Sequence, residues 1–365
     1  MSLWGKAKMK TSQLLKILFL AIFSSASFAT KYSNQSFMKP RAPGREMPIE
    51  QATWYHAQRN ADNRVGAASG STVQVAAFYK RSYEEDSLGG YFGIRGKNSI
   101  TYDRPTTTKF AALGSEDFIH TTETLKGELT LKPKRIVEGL KLNLYKNFND
   151  GYFGKVNLPI LRVKHHLHPK VENEVLNNGA GILELFGGEY SSETLDKAQK
   201  KLLNSKISST ENKGTFGLGD VDLIFGRRLM DEETFEISAY AKITVPTSNE
   251  PTGEFLFEPI RGNGKHFEVG AGIISSADMW QDSNSSMELM VQLESCYIFQ
   301  SDEKRSFNGV ADFKVTPPWS RYSLTGTKGQ TGSAPFANYS TISAKVAPGF
   351  KLEGLIDVGY RQNSV

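Results

Sequence analysis

Residues 234–274 read TFEISAYAKITVPTSNEPTGEFLFEPIRGNGKHFEVGAGII, and their alternation decides the fold. Phe235, Ile237, Ala239, Ala241, Ile243 and Val245 fall on one side, and Glu236, Ser238, Tyr240, Lys242 and Thr244 on the other. A period of two sustained over such a length makes a β-strand with one apolar and one polar face. The pattern resumes with Phe267, Val269, Ala271 and Ile273 opposing His266, Glu268, Gly270 and Gly272. Between the two runs, Pro246–Gly264 is rich in Pro, Gly and Asn, so the unit is a hairpin with a long loop.

Similar alternation predicts further strands at Thr72–Arg81, Leu125–Phe148 (bulged at Pro133), Tyr152–Lys164, Thr215–Arg228, Lys265–Ser276, Met287–Phe299, Thr341–Val346 and Lys351–Arg361. Asn149-Asp150-Gly151 supplies the positive φ of a tight hairpin, and Ala347-Pro348-Gly349 turns the chain into its last strand. Helices are expected at Pro48–Arg59 and at Ser192–Lys206, where Leu195, Ala198, Leu202 and Leu203 share a side. The connections between strands run alternately long and short. A soluble sandwich has no reason for that order, whereas outer-membrane barrels have short turns on one side and long loops on the other. Strands of this length exceed the ~5–6 residues usual in soluble sheets and suit a tilted bilayer crossing of ~9–11 residues. In lipid an open sheet edge has no water to bond, so the sheet is expected to close.

The beginning of the chain agrees. Lys6, Lys8 and Lys10 precede the apolar run Leu14–Phe23, and Ser27 and Ala29 make a small-x-small site before Thr30. That is a cleaved secretory signal over residues 1–29. The segment carries four lysines and no acid, so its removal takes the formal charge from +5 to +1, and nucleic acid is not an expected partner. Cys296, the single cysteine, cannot form an internal disulfide. Residues 30–70 read as a polar leader and residues 71–365 as the barrel domain, with no later apolar run long enough for a transmembrane helix.

The Gly217-Leu218-Gly219-Asp220-Val221 strand entry and the Val245-Pro246-Thr247 to Gly262-Asn263-Gly264-Lys265-His266 hairpin, with the signal peptide, resemble bacterial outer-membrane β-barrel proteins of the porin-like type. The resemblance covers roughly residues 70–361. It implies an all-β, transmembrane antiparallel up-and-down barrel with long extracellular loops, an outer-membrane address, contact with outer-membrane lipid and the barrel-assembly machinery, and passive transport of small solutes. It carries over no catalytic residue. One departure is the ending Tyr360-Arg361-Gln362-Asn363-Ser364-Val365, which lacks the customary terminal aromatic. The predicted strands number nine, an odd count, so that either the count errs around Pro133 or, the reading that the terminus favours, closing strands are missing.

The polar faces supply the candidate site. Glu236, Lys242, Glu268, Glu288, Gln292 and Glu294 are expected to face the lumen and set ion selectivity. No catalytic group, metal or cofactor is expected. In His165-His166-Leu167-His168, strand geometry lets at most two imidazoles converge, so the cluster reads as a polar strand end. Gly217-x-Gly219 and Gly262-x-Gly264 lack the context of a phosphate-binding loop and read as turn glycines. His266 with Glu258 or Asp220 is the one acid–base pairing to test, and Cys296 reads as an inert thiol. The expected function is a porin-like channel. The alternatives are a surface adhesin or structural barrel with a plugged lumen, and a soluble secreted β-sandwich. Homo-oligomerisation has no support in the sequence.

Overall fold

The computed structural model describes residues 70–83, 98–102, 125–176, 181–189, 200–207, 213–232, 234–282, 285–307, 320–322, 324–325 and 334–362. All belong to the compact unit Ser33–Val365. The signal segment, the leader up to residue 69 and the Pro48–Arg59 helix fall outside the described residues.

In chain order the strands are β1 (Ser71–Arg81), β2 (Ser99–Tyr102), β3 (Leu125–Thr130), β4 (Lys134–Asn147), β5 (Tyr152–His166), β6 (Lys170–Leu176), β7 (Lys213–Leu218) and β8 (Val221–Glu232). There follow β9 (Phe235–Val245), β10 (Glu268–Gln281), β11 (Ser285–Ile298), β12 (Ser301–Ser306), β13 (Leu324–Thr325), β14 (Ala334–Pro335), β15 (Thr341–Val346) and β16 (Gly349–Gln362). Two short helices, α1 (Ile182–Gly187) and α2 (Ala337–Ser340), also lie among the described residues.

The chain is all-β. Its main sheet is antiparallel, runs β1-β4-β5-β8-β9-β10-β11-β16 and curls into a half-barrel. β7 continues β8 along the flank of β5: β8 pairs with Tyr152–Asn157, and β7 with Ile160–His165. The break falls at Gly219-Asp220, opposite Pro159, which has no N–H to give the ladder. Its carbonyl still accepts from the Gly219 N–H at 2.8 Å. Among the described residues β1 and β16 are the sheet edges and do not pair with each other. A closed barrel is therefore not what the fold displays.

Three sequence expectations are corrected. Leu125–Phe148 is two strands, because Leu131–Pro133 breaks it. β4 joins the main sheet, while β3 joins the small sheet β2-β3-β6. Thr341–Val346 is not a main-sheet strand: it pairs with Ser301–Ser306, in the opposite half of its own long connection. Of the helix expected at Ser192–Lys206, residues 200–206 are not helical and 192–199 lie outside the described residues, while a helix that was not expected forms at Ile182–Gly187. Its Ile182, Leu185 and Phe186 are buried, and Gly188 closes it at φ 78°.

With these corrections, every long connection (82–133, 167–220, 246–267 and 299–348) leaves from one end of the main sheet, and the short ones from the other. The long connections do not trail. Leu129 and Leu131, then Ile182, Phe186, Leu202 and Ile207, then Leu256 and Phe257, and finally Tyr322 and Ala337 are buried in one apolar cluster. Each of the four contributes, so they form a cap with its own core.

The main sheet is patterned the other way round. Its outward side chains are apolar and exposed, as at Val73 (67%), Ile273 (53%), Ile356 (50%) and Val358 (63%). Its inward side chains include buried Lys141, Asn143, Lys155, Asn157, Asp222, Lys242, Glu268, Glu288 and Glu294. In water this arrangement is unfavourable twice over. Leaving a Val or Leu exposed forgoes ~1.5–3 kcal/mol, and a buried charge costs several kcal/mol before pairing.

Candidate functional site

The six expected lumen residues all project from the inward face. On β9, Ser238, Tyr240, Lys242 and Thr244 are buried, as the alternation requires once Ile243 and its neighbours point out. On β11 the same holds for Glu288, Met290, Glu294 and Cys296. The strands are brought into line by β10, whose Gly270 faces Lys242 on one side and Cys296 on the other.

Three of the six candidates, Lys242, Gln292 and Glu294, thereby form one network with Tyr240. Lys242 is ion-paired with Glu294. The Tyr240 hydroxyl donates to the other Glu294 oxygen at 2.9 Å and accepts from the Gln292 amide at 2.6 Å. Cys296, a buried free cysteine, donates its thiol to Glu294 at 3.2 Å. Glu236 stands apart, accepting from Ser238 at 2.9 Å. Glu268 belongs to the cap end, where Asn263 donates to it at 2.6 Å. Lys141, Lys155, Asn157, Asp222, Gln292 and Glu353 line, with the network, a cavity of about 20 Å³. That is room for about one water molecule.

Below this polar level the inward face turns apolar. Tyr145, Phe153, Tyr240, Ile274 and Met290 cluster there. Glycines make the room: a Cβ on Gly226 would lie 2.3 Å from the Phe153 ring, and one on Gly272 would lie 2.3 Å from that of Tyr240.

Sequence reasoning missed the second polar constellation, at the cap. His266 is fully buried, with Nδ1 2.7 Å from the Phe299 carbonyl and Nε2 2.6 Å from Glu303. A carbonyl has no proton to give, so Nδ1 donates. Arg305 binds the remaining Glu303 oxygen, with its Nε at 2.8 Å. Asp220 accepts from the backbone N–H of Asn263 at 2.6 Å and of Ser248 at 3.2 Å. Glu258 accepts from the N–H groups of Thr252 and Gly253, and burial pushes its carboxyl above the usual range. His266 thus pairs with neither Glu258 nor Asp220. Among the described residues these groups are buried, and their hydrogen bonds tie the loops of the cap together. No sequence signal links His266 to Glu303, since they come from different connections.

The histidine run divides as its geometry requires. The His166 and His168 rings stack at 5.8 Å. His165 points inward and its Nδ1 lies 2.8 Å from the Phe257 carbonyl of the cap. Burial, aided by the Arg135 charge, lowers its pKa to about 4, so the ring is neutral. Among the described residues no three His, Cys, Asp or Glu side chains gather as a metal site.

Comparison with protein-family models, with curated proteins and with solved structures finds no match.

Proposed function

We propose that this chain forms the membrane-embedded wall of an outer-membrane β-barrel, of porin-like type, whose polar inner face passes small solutes. The observation that carries the reading is the inverted burial of the main sheet, with apolar side chains outward and charged ones inward on strand after strand. Placed in a bilayer, the same pattern is favourable on both faces.

Aromatic positions support it. On β16, Phe350 and Tyr360 both face outward, with Leu352, Ile356 and Val358 between them. Ten residue steps at ~3.3 Å, tilted by about 40°, give a height of ~25 Å, the apolar band of an outer-membrane barrel. Phe267, Phe299, Tyr297 and Phe350 touch in that order at the cap-side rim, and Phe148 and Tyr152 both touch Phe225 at the other. On this reading β5 crosses between Tyr152 and Ile160, and Arg162 to His165 lie beyond the lipid. The eight-strand path also supports it, because both ends of the main sheet then lie on the short-turn side.

The Lys242–Glu294–Tyr240–Gln292 network favours a second reading. If these residues stay packed in the mature assembly, the interior is sealed and the cap is the working surface of an adhesin. Planar-bilayer recording of the refolded chain separates the two. Stepwise conductance that shifts its ion selectivity in Glu294→Gln is expected of the channel. A membrane-inserted protein that passes no current would transfer the conclusion to the sealed barrel.

A further inference from the structure

His266 is held through both ring nitrogens, and the two bonds together require two protons. Its Nδ1 lies 2.7 Å from the Phe299 carbonyl, which can only accept, so Nδ1 carries a hydrogen. In a neutral imidazole the other nitrogen is then a bare acceptor. Yet Nε2 stands 2.6 Å from the Glu303 carboxyl, an approach that two acceptors do not make. One more proton must lie between them. It belongs to the ring, because Arg305 grips the other Glu303 oxygen through Nε at 2.8 Å and through a terminal nitrogen, and a guanidinium so placed favours the carboxylate form.

The surroundings suit that charge. His266 and Glu303 are fully buried, where an uncompensated charge is costly. Glu303 and Arg305 face the ring from β12, and Glu268, two residues further on at the start of β10, is buried and accepts from the Asn263 amide. In the loop before β10, Lys265 turns away to the Pro246 carbonyl at 3.1 Å. Asn263, whose Oδ1 accepts the His266 backbone N–H, donates its own backbone N–H to Asp220. β15 sets Ala344 opposite Glu303, and Asp302, Lys304 and Lys345 are exposed on the other side of that pair of strands. With its second proton, His266 joins Arg305 in balancing Glu303 and Glu268.

We propose that His266 is a proton-operated latch on the cap. Charged, the ring donates to the carbonyl that ends β11 and to Glu303, and so clamps β12 against the cap end of the β10–β11 pair. When the proton is lost, Nε2 and the carboxylate face each other as two acceptors, and the clamp opens. β12 is then released together with β15, to which it is paired from Ser301–Val346 to Ser306–Thr341. A permanent tie would use a donor that keeps its hydrogen at any pH, whereas an imidazole between a carbonyl and a carboxylate holds both only while charged. The inference goes beyond the membrane reading and does not depend on it, since every group in the latch lies at the cap.

The test uses the full refolded chain, labelled with heavy nitrogen at histidine, between about pH 5 and about pH 9. At the acid end His266, assigned by the signals lost in His266→Gln, is expected to carry hydrogens on both ring nitrogens. Limited proteolysis within residues 299–306 should quicken at least about tenfold as pH rises and the charge-assisted bond is lost. That slope is opposite in sign to the effect of His165, which is neutral in the fold and loosens it on acidification. In Glu303→Gln the amide can donate to a neutral Nε2, so the segment should stay protected at every pH, a result that damage to the cap cannot imitate. A ring with one hydrogen throughout, or cleavage that does not rise with pH, overturns the latch. A Glu303→Gln chain cleaved at every pH as fast as the parent at high pH makes the contact merely structural and overturns it as well.

Discussion

Lys242 and Glu294 show how much one charge depends on its partner. Lys242→Met leaves Glu294 buried without its cation, at an expected cost of ~3–5 kcal/mol. Lys242→Met with Glu294→Leu removes both charges and should recover most of that loss. Urea midpoints in detergent for the two single variants and the double variant give the coupling directly. His165 offers a pH test. Its folded pKa of about 4 lies below the unfolded value of 6.5, so the unfolded chain binds the extra proton. Stability from this ring is fully present above 6.5 and is lost as pH falls from 6.5 towards 4, by up to ~3 kcal/mol. Proteolysis of the cap against pH should show this slope in the parent and a flattened one in His165→Gln. His165 was visible in the sequence as part of a cluster, but its neutrality comes from Phe257, 92 residues away.

The strands differ in how far they could be read. β9 and β11 follow from alternation alone, because strict period two also fixes which residues turn inward. The same period misplaced Thr341–Val346. A strand that pairs in the cap alternates as readily as one in the main sheet, and the partner Ser301–Ser306 is too polar to be picked out. The cap core was likewise illegible, since its members come singly from four connections and obey no common period. Nothing in the alternation marks out Gly226, which is required by the Phe153 ring. Gly226→Ala should destabilise the sheet by ~1–3 kcal/mol through overpacking. The unboiled gel band would then unfold at a lower temperature, and Phe153→Leu in the same chain should restore part of it.

For the whole molecule, the decisive contrast is between its two hydrophobic surfaces. The cap buries its apolar residues as soluble proteins do, while the main sheet turns them out. Leu144→Arg on the outward face, opposite Val156 at the middle of the crossing, should therefore cost ~2–4 kcal/mol in a bilayer, as expected near the midplane. In a soluble sheet it would be nearly neutral. Insertion yield into vesicles, compared with that of Lys164→Arg beyond the apolar band, reads the difference. Compact, heat-modifiable migration of the refolded chain is the companion measurement, and folding in plain buffer would contradict the outward face altogether.

The pairing order also has a kinetic meaning. β8, β9, β10 and β11 pair each with the next strand along the chain, the longest link being 246–267, whereas β1 must find β4 across the longer 82–133 and β11 must find β16 across 299–348. Loop closure is costlier over such distances, so the four-strand meander is the natural nucleus. The outermost strands join only after the cap has drawn their ends together. A pulse of protease during refolding should find Val221–Ile298 protected first and β1 and β16 last. The strands most in need of a neighbour are then the last to be left without one.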